Sequence, residues 1–138
     1  MPEEATTPDL VDRVRAGLEA YGRADFDGAV RFLTPDAVWE MKGGESFEGI
    51  AAIRGFMEEF YCHFEGFEVE VEEIRDLGGE VLLAVNMMRG HPLGSAGEVW
   101  QRGAFVYEGK AGFAVRATAY TDIDEARAAA ERLAEERR

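Results

Sequence analysis

The stretch from Asp25 to Phe64, DFDGAVRFLTPDAVWEMKGGESFEGIAAIRGFMEEFYCHF, leaves few folds open to the chain around it. From Gly49 onward, Ile50, Ile53, Phe56, Met57, Phe60, Tyr61 and Phe64 recur at helical spacing, while Arg54, Glu58 and Glu59 lie off their stripe. So aromatic a stripe has to be covered, because each large apolar side chain taken out of water contributes about 1.5–3 kcal/mol. Upstream, Asp25 caps a short helix carrying Phe26, Ala29, Val30 and Leu33, which Thr34-Pro35 ends. Ala37 to Met41 reads as a strand with Trp39 and Met41 on one face and Val38 and Glu40 on the other, followed by a Gly43-Gly44 turn.

Before this stretch, Thr7 can cap a helix whose first position is Pro8 and whose stripe is Leu10, Val11, Val14, Leu18 and Tyr21, ending near Gly22. After it the period falls to two. Phe67, Val69 and Val71 alternate with Glu68, Glu70 and Glu72, and Ile74 is out of phase, which predicts a bulge near Glu72-Glu73. Glu80 to Arg89 is the next strand, and its run VLLAVNMM implies burial on both faces. Gly90 to Gly97 is a connection, and Val99–Glu108 and Phe113–Thr121 form a hairpin across Gly109-Lys110-Ala111-Gly112. Asp122 to Arg138 is a polar Ala/Glu/Arg helix, expected at the periphery.

This order predicts an α+β fold: three N-terminal helices on a curved, mostly antiparallel sheet, plus a C-terminal helix. The 138 residues are read as a single domain with its core over about 8–123 and a peripheral helix over 124–138. Apolar residues of both parities in the late strands point to a homodimer through the outer sheet face.

Composition excludes several classes of function. Twenty-eight acidic against 15 basic residues give a net charge of −13, which repels nucleic acid. No apolar run is long enough to span a membrane, and the N-terminal residues MPEEATTPDL do not read as a signal peptide, so a soluble cytoplasmic protein is expected. Without a Cys/His cluster, a glycine-rich phosphate loop or carboxylates at metal spacing, no metal, nucleotide or flavin cofactor is expected. The single cysteine, Cys62, reads as a small buried or half-buried apolar group.

Three segments, AYGRADFDGAVRFLTPDAVWE, GIAAIRGFMEEFY and GFAVRATAYTDIDEARAAA, carry a resemblance to the nuclear transport factor 2-like superfamily, and within it to the SnoaL-like group. The resemblance implies a cone-shaped roll with an apolar cavity between helices and concave sheet, and chemistry done by one or two polar groups inside it. Relatives of this kind include ketosteroid isomerase, limonene epoxide hydrolase, dehydratases and polyketide cyclases. The isomerase's tyrosine would fall here on Val14, its general-base aspartate on Met41, and its protonated aspartate on Gly103 or Ala104, so that mechanism has no residues in this chain.

A ligand pocket for a small, mainly apolar molecule is expected to be walled by Leu18, Tyr21, Trp39 and Met41 from the first half. Phe56 and Phe60 from the third helix, and Met87, Trp100, Arg102 and Tyr120 from the late strands, complete the expected wall. The candidates for acid–base work are Arg102, His63 and Asn86, with Gln101 and Arg102 competing for the inward side of their strand. The alternative to a catalyst is a non-catalytic ligand-binding or dimerisation module, and a third reading is an interaction protein that uses its acidic exterior.

Overall fold

The first helix begins where an acidic side chain can take up a free amide: Asp9 accepts from the Asp12 N–H at 3.0 Å, and α1 runs Leu10–Gly22. The structure, a computed structural model, describes residues 9–137, so the Thr7-Pro8 start lies outside the described residues. Asp25 accepts from the Gly28 N–H at 3.0 Å and caps α2, a single turn over Phe26–Ala29. The helix expected to continue to Leu33 stops earlier, because Leu33–Met41 is already strand β1. Its register breaks between Leu33 and Val38, and Pro35 sits in that irregular stretch, where a missing N–H costs no ladder bond.

Gly43, at φ +78, turns β1 back into the short strand β2, Ser46–Glu48, which the sequence pattern does not separate from its surroundings. Helix α3 follows at Ile50–Tyr61, then β3 Phe64–Asp76, β4 Val81–Pro92, β5 Val99–Lys110, β6 Phe113–Tyr120 and α4 Ile123–Glu136. The sheet order is β2-β1-β6-β5-β4-β3, antiparallel throughout except for the parallel β1/β6 pair. The predicted bulge is present as a register shift between Val71 and Glu73, and a second shift lies between Glu65 and Glu68.

Strand β4 is buried on both faces, as its apolar run implies. Leu82 and Ala84 belong to the core beneath α1, α2 and α3, whereas Val81, Leu83 and Val85 belong to a second core beneath α4. The C-terminal helix is therefore not peripheral. Its Ala126, Ala129, Ala130 and Ala134 are buried against β4 and β5, and side chains this small let the helix approach the sheet closely without large apolar residues of its own. The apolar residues that suggested a partner subunit are thus covered within the chain over Val81, Leu83, Val85 and Val106. Farther along the same face, Trp100 and Arg102 stay exposed.

The guanidinium of Arg127 ties α4 to the sheet, donating to both carboxylate oxygens of Glu73 on β3 at 3.2 and 2.8 Å. The hydrogen bond from Arg127 holds the Glu73 carboxyl below the ordinary carboxylate range. A carboxyl depressed in the folded state stabilises above its unfolded pKa, and that contribution disappears as pH falls through the lower folded value. Arg127→Gln should therefore lower stability at neutral pH and flatten the acid limb of the stability profile. Chemical denaturation from pH 7 to pH 3, compared between the two chains, checks it; parallel profiles would refute it.

Candidate functional site

The inner face of the sheet can be followed row by row from its register. Trp39 lies opposite Ala117, and Ala117 opposite Tyr107; in the next row Met41, Ala119, Phe105 and Ala84 face one another in turn. Asn86 then faces Gly103 on one side and Val71 on the other, and Met88 faces Gln101. Ala84, Gly103, Ala117 and Ala119 put small side chains on this surface between and beside the large ones of Trp39, Met41, Phe105 and Tyr107. The sheet surface is dished there, and the helices do not fill the dish.

Helices α1, α2 and α3 close over it with Leu18, Tyr21, Ala29, Phe56, Met57 and Phe60, enclosing a cavity of about 290 Å³. The aromatic rings pack closely, tilted or edge-on: Trp39 lies 5.2 Å from Phe105 and 6.5 Å from Tyr107 between ring centroids, and Phe32 lies 5.5 Å from Tyr107. The exposed members of the lining, Lys42, Gln101 and Thr121, mark the mouth.

The polar atoms of this lining set it apart from the rest of the interior. Buried polar groups in folded proteins are overwhelmingly hydrogen-bonded. Among the described residues, every buried side-chain nitrogen or oxygen without a hydrogen-bond partner in the chain belongs to a residue lining this cavity: Trp39 Nε1, Asn86 Oδ1 and Nδ2, and Tyr107 Oη. Burial pushes the Tyr107 hydroxyl well above the usual tyrosine range; burial, with Tyr61 nearby, does the same for Tyr21. Both are therefore neutral hydrogen-bonding groups at physiological pH. The lining contains no carboxylate, histidine or arginine. Among the described residues no group of His, Cys, Asp and Glu is placed to hold a metal ion.

Of the residues expected to wall the pocket, Leu18, Tyr21, Trp39, Met41, Phe56, Phe60 and Tyr120 line it, and so does Asn86. Met87, Trp100 and Arg102 do not. They occupy the opposite parity of β4 and β5, where Met87 pairs with Arg102 and Arg89 with Trp100 on the outer face. Arg102 donates to Glu72 at 2.7 Å there, and Trp100 is 55% exposed under a cation–π contact from Arg89. Gln101 is thus the inward member of its pair. His63 is also displaced from the site: it is exposed just beyond the end of α3, turned away with Cys62, which is likewise exposed and not buried. His91 stays within its own hairpin, its Nδ1 at 3.1 Å from the Gly97 carbonyl.

Lys42, Met88 and Phe105 were not singled out as lining from the sequence, and Gln101 was left competing with Arg102 for the inward side. The acidic face of β3 carried the missing signal: Glu68 and Glu70 point outward, their ladder partners Arg89 and Met87 must do so too, and inward parity then passes to Met88, Gln101 and Tyr107.

A helix-roofed, dished sheet with an apolar hollow open at one end is the architecture of the nuclear transport factor 2-like proteins. The sequence model of the SnoaL-like domain matches residues 14–117, and the chain belongs to that family. Among solved structures it is similar to an NTF2-like protein of unknown function from Burkholderia pseudomallei K96243 (TM-score 0.73, 20% identity, covering 86% of this chain and 95% of that one). It is also similar to a protein from Jannaschia sp. CCS1 described as a SnoaL-like polyketide cyclase (TM-score 0.72, 17% identity, 94% and 98%). A third similar structure is TerC co-crystallized with polyporic acid (TM-score 0.72, 16% identity, 88% and 98%). At these identities the likeness is one of fold. Among curated proteins none matches the chain. No described helix is long and apolar enough to cross a membrane.

Proposed function

We propose that the chain binds a small, mainly apolar organic molecule inside the cavity, with an oxygen function on that molecule engaging Asn86, Trp39 and Tyr107. The observation that carries this reading is the confinement of the unpartnered buried polar atoms to the cavity lining. Each such group costs about 1–3 kcal/mol when left unpaired, so retaining three of these residues around one hollow is costly unless something enters to pair with them. Trp39 can only donate, while Asn86 and Tyr107 can donate and accept, so a carbonyl or phenol fits where a pure hydrocarbon does not. The TerC complex supports the reading to the extent that a protein of this fold was co-crystallized with an organic molecule.

A catalytic reading has one observation in its favour: hydrogen-bond donors in an apolar hollow polarise a carbonyl more strongly than they would in water. Lacking a carboxylate or histidine in the lining, such a reaction would use proton transfers within the substrate or through water. The polyketide cyclase description of a protein of the same fold agrees with this second reading.

Asn86→Leu separates function from stability. Replacing the unpartnered amide by an apolar group of similar size should raise stability by about 1–2 kcal/mol and weaken a carbonyl-bearing ligand by on the order of tenfold. Native mass spectrometry against a panel of apolar ketones, phenols and matched hydrocarbons, followed by titration of the best binder, measures the second effect. A hydrocarbon binding as well as its ketone, or no loss in Asn86→Leu, would overturn the assignment of the polar groups.

A further inference from the structure

The lining of the cavity is electrostatically unlike the chain that builds it. The protein carries a net charge of −13, yet the lining has no carboxylate and a single charged side chain, Lys42. Lys42 follows the last residue of β1, with its backbone N–H bonded to the Ala119 carbonyl at 2.9 Å, so the chain leaves the sheet at the rim. Gln101 and Thr121, the other exposed lining residues, offer an amide and a hydroxyl at the same opening.

The cations on the outer face of the sheet are already committed. Arg89 pairs with Glu68, Arg102 with Glu72, Arg116 with Glu40 and Arg127 with Glu73. Lys42 has no carboxylate within ion-pair reach among the described residues. Glu40, its neighbour but one in sequence, is held by Arg116. An ammonium group left free at the mouth of an apolar, carboxylate-free hollow is a recognition element for negative charge.

Building on the pocket reading above, we propose that the ligand is an organic anion: an apolar, ring-sized body that fills the hollow, with a carboxylate, sulfonate or enolate at the mouth against Lys42. Gln101 and Thr121 can donate to the same anionic group. The body reaches inward toward Asn86, where a neutral oxygen function finds its partners. Charge at the mouth and neutral hydrogen bonding in the interior then fix which end enters first.

Two fluorescent probes with one ring skeleton test this: anilinonaphthalene sulfonate, an anion, and N-phenylnaphthylamine, which lacks the sulfonate. The wild-type chain should bind the anion about three- to fivefold more tightly than the neutral probe, a preference of the size expected for an exposed ion pair. Salt at about 1 M should remove most of that preference. Lys42→Met should equalise the two probes by weakening the anion alone, and Lys42→Glu should invert their order. Ala119→Phe, which puts a ring into the hollow, should displace both and so locate them in the cavity. Both probes binding equally to the wild type, with Lys42→Met without effect, would overturn the anion proposal and leave the pocket standing. Neither probe binding, or both insensitive to Ala119→Phe, would remove the pocket reading and this proposal with it.

Discussion

A chain terminated after Thr121 is expected to lose its folded state or to survive only as an associated species. Val81, Leu83, Val85 and Val106 are 0–1% exposed beneath α4. Returning four such side chains to water costs about 6–12 kcal/mol at the usual 1.5–3 kcal/mol each. That is comparable with the whole stability of an ordinary domain, about 5–15 kcal/mol. The truncation also removes the Arg127 pair with Glu73 and the hydrogen bond from Arg137 to the Gly109 carbonyl. Circular dichroism would register collapse, and light scattering would register association through the bared face. A truncated monomer melting at the full-length temperature would show that α4 contributes nothing to the core, contrary to its buried alanines.

The same helix shows where the sequence misleads. A stripe of alanines reads as weakly apolar, and at a chain end it suggests a loosely attached helix. Its contribution depends on a neighbouring strand that is apolar on both faces, and only the tertiary arrangement brings the two together. In contrast, the α3 stripe, the bulge at Val71–Glu73, the Asp25 cap and the separate late strands could be read directly, since each rests on local periodicity or a local hydrogen bond. The short β2 could not be read, because three residues carry no period. In the site, the first half of the chain was readable: Leu18, Tyr21, Trp39, Met41, Phe56 and Phe60 lie on amphipathic elements whose apolar side is unambiguous. The second half was not. From Val81 to Met88 every position but Asn86 is apolar, so composition gives little parity, and Met87, Trp100 and Arg102 were counted among the wall residues with no register to decide their face. Only a cross-strand register, propagated from the acidic face of β3, resolves it.

Trp39→Ala should be the most damaging single change at the site itself. Its indole is 5% exposed and packs against Phe105 and Tyr107 in the wall of the hollow. Removing a buried tryptophan costs about 3–5 kcal/mol, because the space it leaves is only partly recovered by its neighbours. For a chain of this length that corresponds to a fall in melting temperature on the order of 10 °C. Trp39→Phe dissects the effect, since it keeps an aromatic ring but deletes Nε1, which has no partner within the chain. The phenylalanine variant should therefore hold most of the stability while weakening acceptor-bearing ligands relative to matched hydrocarbons. Losing stability in Trp39→Phe while still discriminating between acceptor-bearing ligands and hydrocarbons as before would mean the indole acts by shape alone. An unchanged melting temperature in Trp39→Ala would mean that this side chain does not support the enclosed space on which the whole reading of the site depends.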